Sequence, residues 1–170
     1  MSALTEFRQA KDDFFKHDYQ SPLDRSQKKT FIGLNYYVEN PSLRFDLPLE
    51  KMEEPERVVM ATSTGEEKGY LHVGQTSFSV LDQTVSLQVY VSEQGGDYFI
   101  PFVDATAPEE TYGAGRYLEP EDLGGGKLRL DFNLVYNPYC AYNDGWSCPI
   151  PPSKNRIPVR IEAGEKKFHE

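Results

Sequence analysis

Residues 78–91 constrain this chain more than any other stretch. Phe78 and Val80, then Val85, Leu87, Val89 and Val91, alternate with Ser79, Ser86, Gln88 and Tyr90 on either side of Asp82-Gln83. A period of two puts the apolar side chains on one face of an extended strand, and a polar pair between two such runs makes a hairpin. The same grammar recurs after Phe31. Strands are predicted near 35–38, 43–47, 58–63, 69–73, 76–80, 85–91, 98–103, 127–133 and 157–161, with Thr64-Gly65, Gly74-Gln75, Gly95-Gly96 and Gly124-Gly125-Gly126 as turns. No helical stretch is long enough to cross between parallel strands, so the strands must pair antiparallel.

The first thirty residues read differently. Leu4, Phe7, the Lys11 stem, Phe14 and Phe15 share a stripe at helical spacing over 3–18. Ser21-Pro22 then suits an N-cap followed by proline at the first position of a short helix. Asp24 falls in its first turn and Lys28-Lys29 in its last, matching the helix dipole, and it should end near Thr30. The expected architecture is mainly β and single-domain: an antiparallel β-barrel or closed β-sandwich over 31–170, with two short N-terminal helices over 1–30 packed on it. At 170 residues the chain can bury a core without metals or disulfides.

Two stretches fit neither strand nor turn, 104–122 and 133–158. The second is a long connection rich in Tyr, Asn, Cys and Pro. Unstructured connections of that length are uncommon in compact domains unless they are functional or disordered. Five of the eleven tyrosines lie between 112 and 142, followed by the single Trp146, so an ordered loop folded on the sheet is expected.

Several segments resemble the domain of unknown function 1684 family of bacterial and archaeal proteins. They are FRQAKDDFF at 7–15, SPL at 21–23, FIGLNYY at 31–37, FIPFVDAT at 99–106, ETYGAGRYL at 110–118, LDFNLVYNPYCAY at 130–142, CPIPPSKNRIPV at 148–159 and IEAGE at 161–165. The resemblance covers nearly the whole chain. It implies a widespread prokaryotic protein and names no reaction. Pro108 stands where the resemblance leads one to expect glycine, which alters a local turn and removes no candidate side chain.

Charge narrows the partners. The formal net charge is -9, and residues 61–126 alone hold 2 basic and 11 acidic groups. Such a chain has few cations to displace phosphate counterions, and it shows no basic stripe interleaved with aromatics, so nucleic acid is not an expected partner. The N-terminus lacks an apolar signal core and no run approaches membrane-spanning length. The expected location is the cytoplasm, with no membrane partner and with Cys140 and Cys148 as thiols.

The candidate chemistry divides three ways. The first reading is a small-ligand module whose pocket is lined by Tyr112, Asp104, Asn133, Tyr136, Asn137 and Asn155, with Arg116 or Arg156 meeting a small anionic molecule. A guanidinium suits a carboxylate or phosphate, and amides and phenols suit a compact ligand. The blander alternative is that Arg116 pairs with Asp104, Glu110 or Asp131 and that the asparagines satisfy the backbone of a proline-broken loop. The second reading is a thiol-dependent hydrolase or transferase with Cys140 as nucleophile and His72 as base. Against it stands the commoner role of buried cysteine as a small hydrophobe. The third is an interaction protein presenting the 133–158 loop. His17, His72 and His169 have no spacing that suits a metal, and no nucleotide, serine-hydrolase or kinase fingerprint is present, so no cofactor is expected.

Overall fold

The computed structural model describes residues 2–170. Two helices, α1 (Ala3–His17) and α2 (Arg25–Thr30), precede eight strands: β1 (Arg44–Pro48), β2 (Glu50–Ala61), β3 (Glu67–Val80), β4 (Gln83–Ser92), β5 (Ile100–Phe102), β6 (Arg116–Leu118), β7 (Glu121–Gly124) and β8 (Lys127–Asp131). The Ser2 hydroxyl caps α1 by accepting from the Thr5 amide at 3.1 Å. The packed face of α1 differs from the predicted stripe. Phe15 is buried and Leu4, Arg8, Lys11 and Asp12 are half-buried, but Phe7 is 47% exposed. The helix rests on a partly polar floor, which Arg8 and Lys11 engage with their charged ends.

The second helix starts three residues later than Ser21-Pro22 predicts. Asp24 is its N-cap and not a first-turn residue. Its carboxylate accepts from the Gln27 amide at 2.8 Å while the Gln27 side chain accepts from the Asp24 amide at 2.9 Å. This reciprocal box satisfies two otherwise orphaned donors, so it wins over Ser21. Ser21 instead donates to the Phe15 carbonyl at 2.6 Å and ties the two helices together.

The strands form three antiparallel sheets, ordered β1-β8-β7, β2-β3-β4 and β5-β6. Mainly antiparallel β structure with two N-terminal helices is what the alternation predicted. The closed barrel is not: among the described residues the sheets do not join into a ring. β7 ends one sheet and β2 another, and β5 and β6 are three residues each. The β2 edge carries Glu53, Glu54 and Pro55 where its register against β3 breaks between Lys51 and Glu56. Charge, proline and a bulge all discourage further pairing at an edge.

The segments predicted as separate strands at 69–73 and 76–80 are one strand. Gly74-Gln75 does not turn; it follows a bulge between His72 and Gly74. A Cβ on Gly74 would stand 2.4 Å from the Glu50 carbonyl, so the glycine admits β2 at close range. Residues 35–38 reduce to a single bridge at Tyr36, and 157–161 form no strand. In the latter, ladder partners are replaced piecemeal: the Ile157 amide reaches the Val103 carbonyl at 2.9 Å, and the Ile161 amide reaches the Asp104 carboxylate at 2.6 Å.

Phe78, Val80, Val85, Leu87 and Val89 point inward as their alternation requires. They meet Ile100, Phe102, Leu128, Leu130, Phe132 and Ile161 in the main core. A smaller cluster of Phe15, Leu23, Phe31 and Tyr142 fastens the helices to the long loop. That loop is built around two 3-10 turns, Tyr139–Ala141 and Ser153–Asn155.

Candidate functional site

The predicted polar residues lie mostly inside the protein. Arg116 is 1% exposed and donates to three backbone carbonyls: Ala163 at 2.6 Å, Ile161 at 2.9 Å and Glu165 at 3.0 Å. Its other partner is Asp104 at 3.3 Å. Asp104 also accepts from the Thr106 hydroxyl and the Ile161 amide. Burial pushes the Arg116 pKa down and the Asp104 charge opposes that shift. These groups knit β6 to the C-terminal segment.

The asparagines hold backbone. Asn155 accepts from the Gln88 amide at 2.7 Å and donates to the Gln88 and Pro101 carbonyls. Asn133 brackets both backbone groups of Asn40. The Asn137 amide donates to Glu165, and its side chain to the Lys166 carbonyl. Arg156 is exposed.

Cys140 and His72 make no contact with each other. The His72 ring sits between the Gln88 side chain at 2.7 Å and Tyr90 at 5.2 Å, between centroids. Cys140 lies in the Tyr139–Ala141 turn, where its sulfur accepts from the Tyr112 hydroxyl at 3.5 Å, with Cys148 as its neighbour. Both cysteines are free. Burial pushes the Cys148 thiol up, away from the reactive thiolate.

One predicted residue, Tyr136, opens onto a different place. It lines a cavity of about 330 Å³ together with Tyr70, Phe99, Tyr117, Asp97 and Glu119. Four separate backbone pairings assemble it. Tyr70 pairs with Ser92 across β3 and β4. Phe99 exchanges backbone hydrogen bonds with Tyr90 at 2.8 and 3.0 Å. Ile100 pairs with Leu118, setting Phe99 beside the end of β6. Tyr117 exchanges backbone bonds with Tyr136 at 2.9 and 3.1 Å.

The rings then contact one another in series. Tyr70 stacks on Phe99 at 5.6 Å, Phe99 meets Tyr117 edge-on at 4.9 Å, and Tyr117 meets Tyr136 edge-on at 5.8 Å. Two hydroxyls are already engaged: Tyr117 donates to the Pro149 carbonyl at 2.5 Å and Tyr136 donates to Glu119. Burial pushes the Tyr70, Tyr117 and Tyr136 phenols up, so they stay neutral. The cavity offers ring surface, with carboxylates at its rim. Tyr70, Phe99 and Tyr117 escaped the sequence reading because they sit far apart in the chain and only strand pairing joins them; Asp97 and Glu119 arrive two residues from Phe99 and Tyr117. The only signal was the excess of aromatics.

Fold and cavity thus define a mainly β, antiparallel protein with a helical N-terminal segment and an aromatic recess between sheets. The chain belongs to the family described as protein of unknown function (DUF1684), whose family model matches residues 29–166. It is also similar to an uncharacterised protein of Haloarcula marismortui whose structure was solved by solution NMR. The two are 36% identical with a TM-score of 0.76, over 98% of this chain and 94% of that one. No curated protein matches it.

Proposed function

We propose that this DUF1684 protein is a small-ligand-binding module whose ligand occupies the aromatic cavity. The observation that carries this reading is the convergence of Tyr70, Phe99, Tyr117 and Tyr136 from distant segments around about 330 Å³. Small-ligand sites run from about 300 to 1,000 Å³ and are mostly apolar with a few placed polar groups. A larger recess of about 450 Å³ near Tyr36 is lined largely by charged residues such as Glu109, Glu110, Lys166 and Lys167, and fits that description less well.

The alternatives have less support. A thiol enzyme needs a base at Cys140, and His72 is engaged elsewhere. An interaction surface on the long loop has Trp146, 38% exposed, and Ile150, but Tyr142 from the same loop is a core residue. The test is an NMR fragment screen on the assigned protein. Binders should perturb the amides of Ser92, Phe99 and Tyr117 together, and Tyr70→Ala should abolish those shifts while the protein stays folded. A screen whose binders all perturb other regions would overturn the reading.

A further inference from the structure

We propose that the cavity recognises a small soluble alkylammonium compound, its cationic head held against the faces of Tyr70, Phe99, Tyr117 and Tyr136. This rests on the reading of the cavity as the ligand site, and it fixes the ligand's charge. Aromatic faces carry negative quadrupole density and attract cations most strongly where water is excluded.

Three observations set the sign. No Lys or Arg lines the cavity, whereas Asp97 and Glu119 do. Tyr70, Phe99 and Tyr117 belong to the segment 61–126, which has 2 basic against 11 acidic groups. Both of those basic groups are committed elsewhere: Lys68 donates to the Ser147 carbonyl at 2.9 Å, and Arg116 is buried against Asp104. Lys11 does approach the Tyr136 ring, at 5.1 Å, but its charge is paired with Glu165 at 3.0 Å. The ligand charge is therefore opposite to the anion expected from Arg116, whose guanidinium is spent on protein carbonyls.

The ring-rich lining bears on the substitution at nitrogen. Tyr117 and Tyr136 commit their hydroxyl protons to Pro149 and Glu119, and five aromatic side chains supply much of the wall. A primary ammonium brings three strongly hydrated donors, which the carboxylates can serve at the rim but ring faces serve less well than water does. An alkylated ammonium has few or none, and its diffuse, weakly hydrated charge costs less to bring against ring faces. The rim carboxylates then supply the longer-range attraction.

The experiment titrates the full chain with choline, with its neutral carbon isostere (a tert-butyl group in place of the trimethylammonium) and with the anionic isostere pivalate. Calorimetry and amide shifts are read together. Choline should bind at the cavity about threefold to tenfold more tightly than the neutral isostere, the ratio that a partly exposed cation–π contact supports. Tyr70→Phe should keep that preference and Tyr70→Ala should lose it. Glu119→Gln should weaken choline and leave the neutral isostere unchanged. Equal binding of choline and the neutral isostere at the cavity, or tighter binding of pivalate, would overturn the cation assignment and leave the ligand site standing. Failure of all three compounds, alongside fragment hits at the cavity, would overturn the cation assignment alone. Failure of all three with no fragment hit there would overturn both.

Discussion

The Arg116 guanidinium stands 3.3 Å from the Asp104 carboxylate, and both side chains are at most 2% exposed. Each is further tied to the C-terminal segment, Arg116 through the Ala163 and Glu165 carbonyls and Asp104 through the Ile161 amide. The pair is a cross-link that closes the chain's last residues onto β6. Removing one partner strands the other in a dry interior, at a cost of about 3–5 kcal/mol. Arg116→Met should lower the urea midpoint by the corresponding amount. Unchanged stability would return Arg116 to the list of ligand-binding groups.

Asn155 makes three hydrogen bonds from a fully buried position, one accepted and two donated. Asn155→Asp keeps the shape and removes both donors, leaving the Gln88 and Pro101 carbonyls facing a carboxylate. Each buried group left unpaired costs about 1–3 kcal/mol. Thermal denaturation should show Asn155→Asp to be more damaging than Asn155→Ala, which removes the bonds without adding a charge.

Gly164 has a φ of +79°, and a Cβ there would lie 2.7 Å from the Val135 carbonyl. The residues on either side supply two of the three carbonyls that accept from Arg116. A non-glycine residue in this backbone region costs of order 1–3 kcal/mol, before any clash is counted. Gly164→Ala should lower the denaturation midpoint and speed amide exchange around Ala163 and Glu165.

Asp12 carries a pH signature. Burial raises its pKa, the Leu34 amide lowers it, and the nearby Glu165 raises it further. A carboxyl whose folded pKa is raised adds stability that is complete below the unfolded pKa and is lost as pH rises through the folded one. Wild type should therefore lose stability relative to Asp12→Asn as pH climbs from below the ordinary carboxylate range to neutral. The amide can still accept from Leu34. Denaturant midpoints of the two proteins across that range check the sign, and parallel curves would refute it.

The thiols should react in a fixed order. Cys140 is half-buried, while Cys148 is buried and its thiol is pushed up by burial. A thiolate-seeking reagent at neutral pH should modify Cys140 first and Cys148 only slowly until the protein unfolds, as mass spectrometry would show. Cys140→Ser should leave ligand shifts at the aromatic cavity intact. Loss of those shifts in a folded Cys140→Ser protein would move the site to the loop.

Local pattern decided much of this protein. The two-residue alternation through Phe78, Val85, Leu87 and Val89 set which face enters the core, because side chains on a strand point alternately to its two sides. The apolar spacing of α1 and the charges of α2 set two helices, though Asp24 capped the second where Ser21 was expected, since a cap competes through bonds that only neighbouring geometry ranks. The segments shared with the family marked its membership without naming a reaction. Only the tertiary structure decided that the sheets stay open, that Arg116 and three asparagines are spent inside, and that Tyr70, Phe99, Tyr117 and Tyr136 meet. Their meeting depends on cross-strand pairings between segments far apart in the chain. Sequence spacing encodes contacts within one element, whereas a cavity is built from the pairing of several.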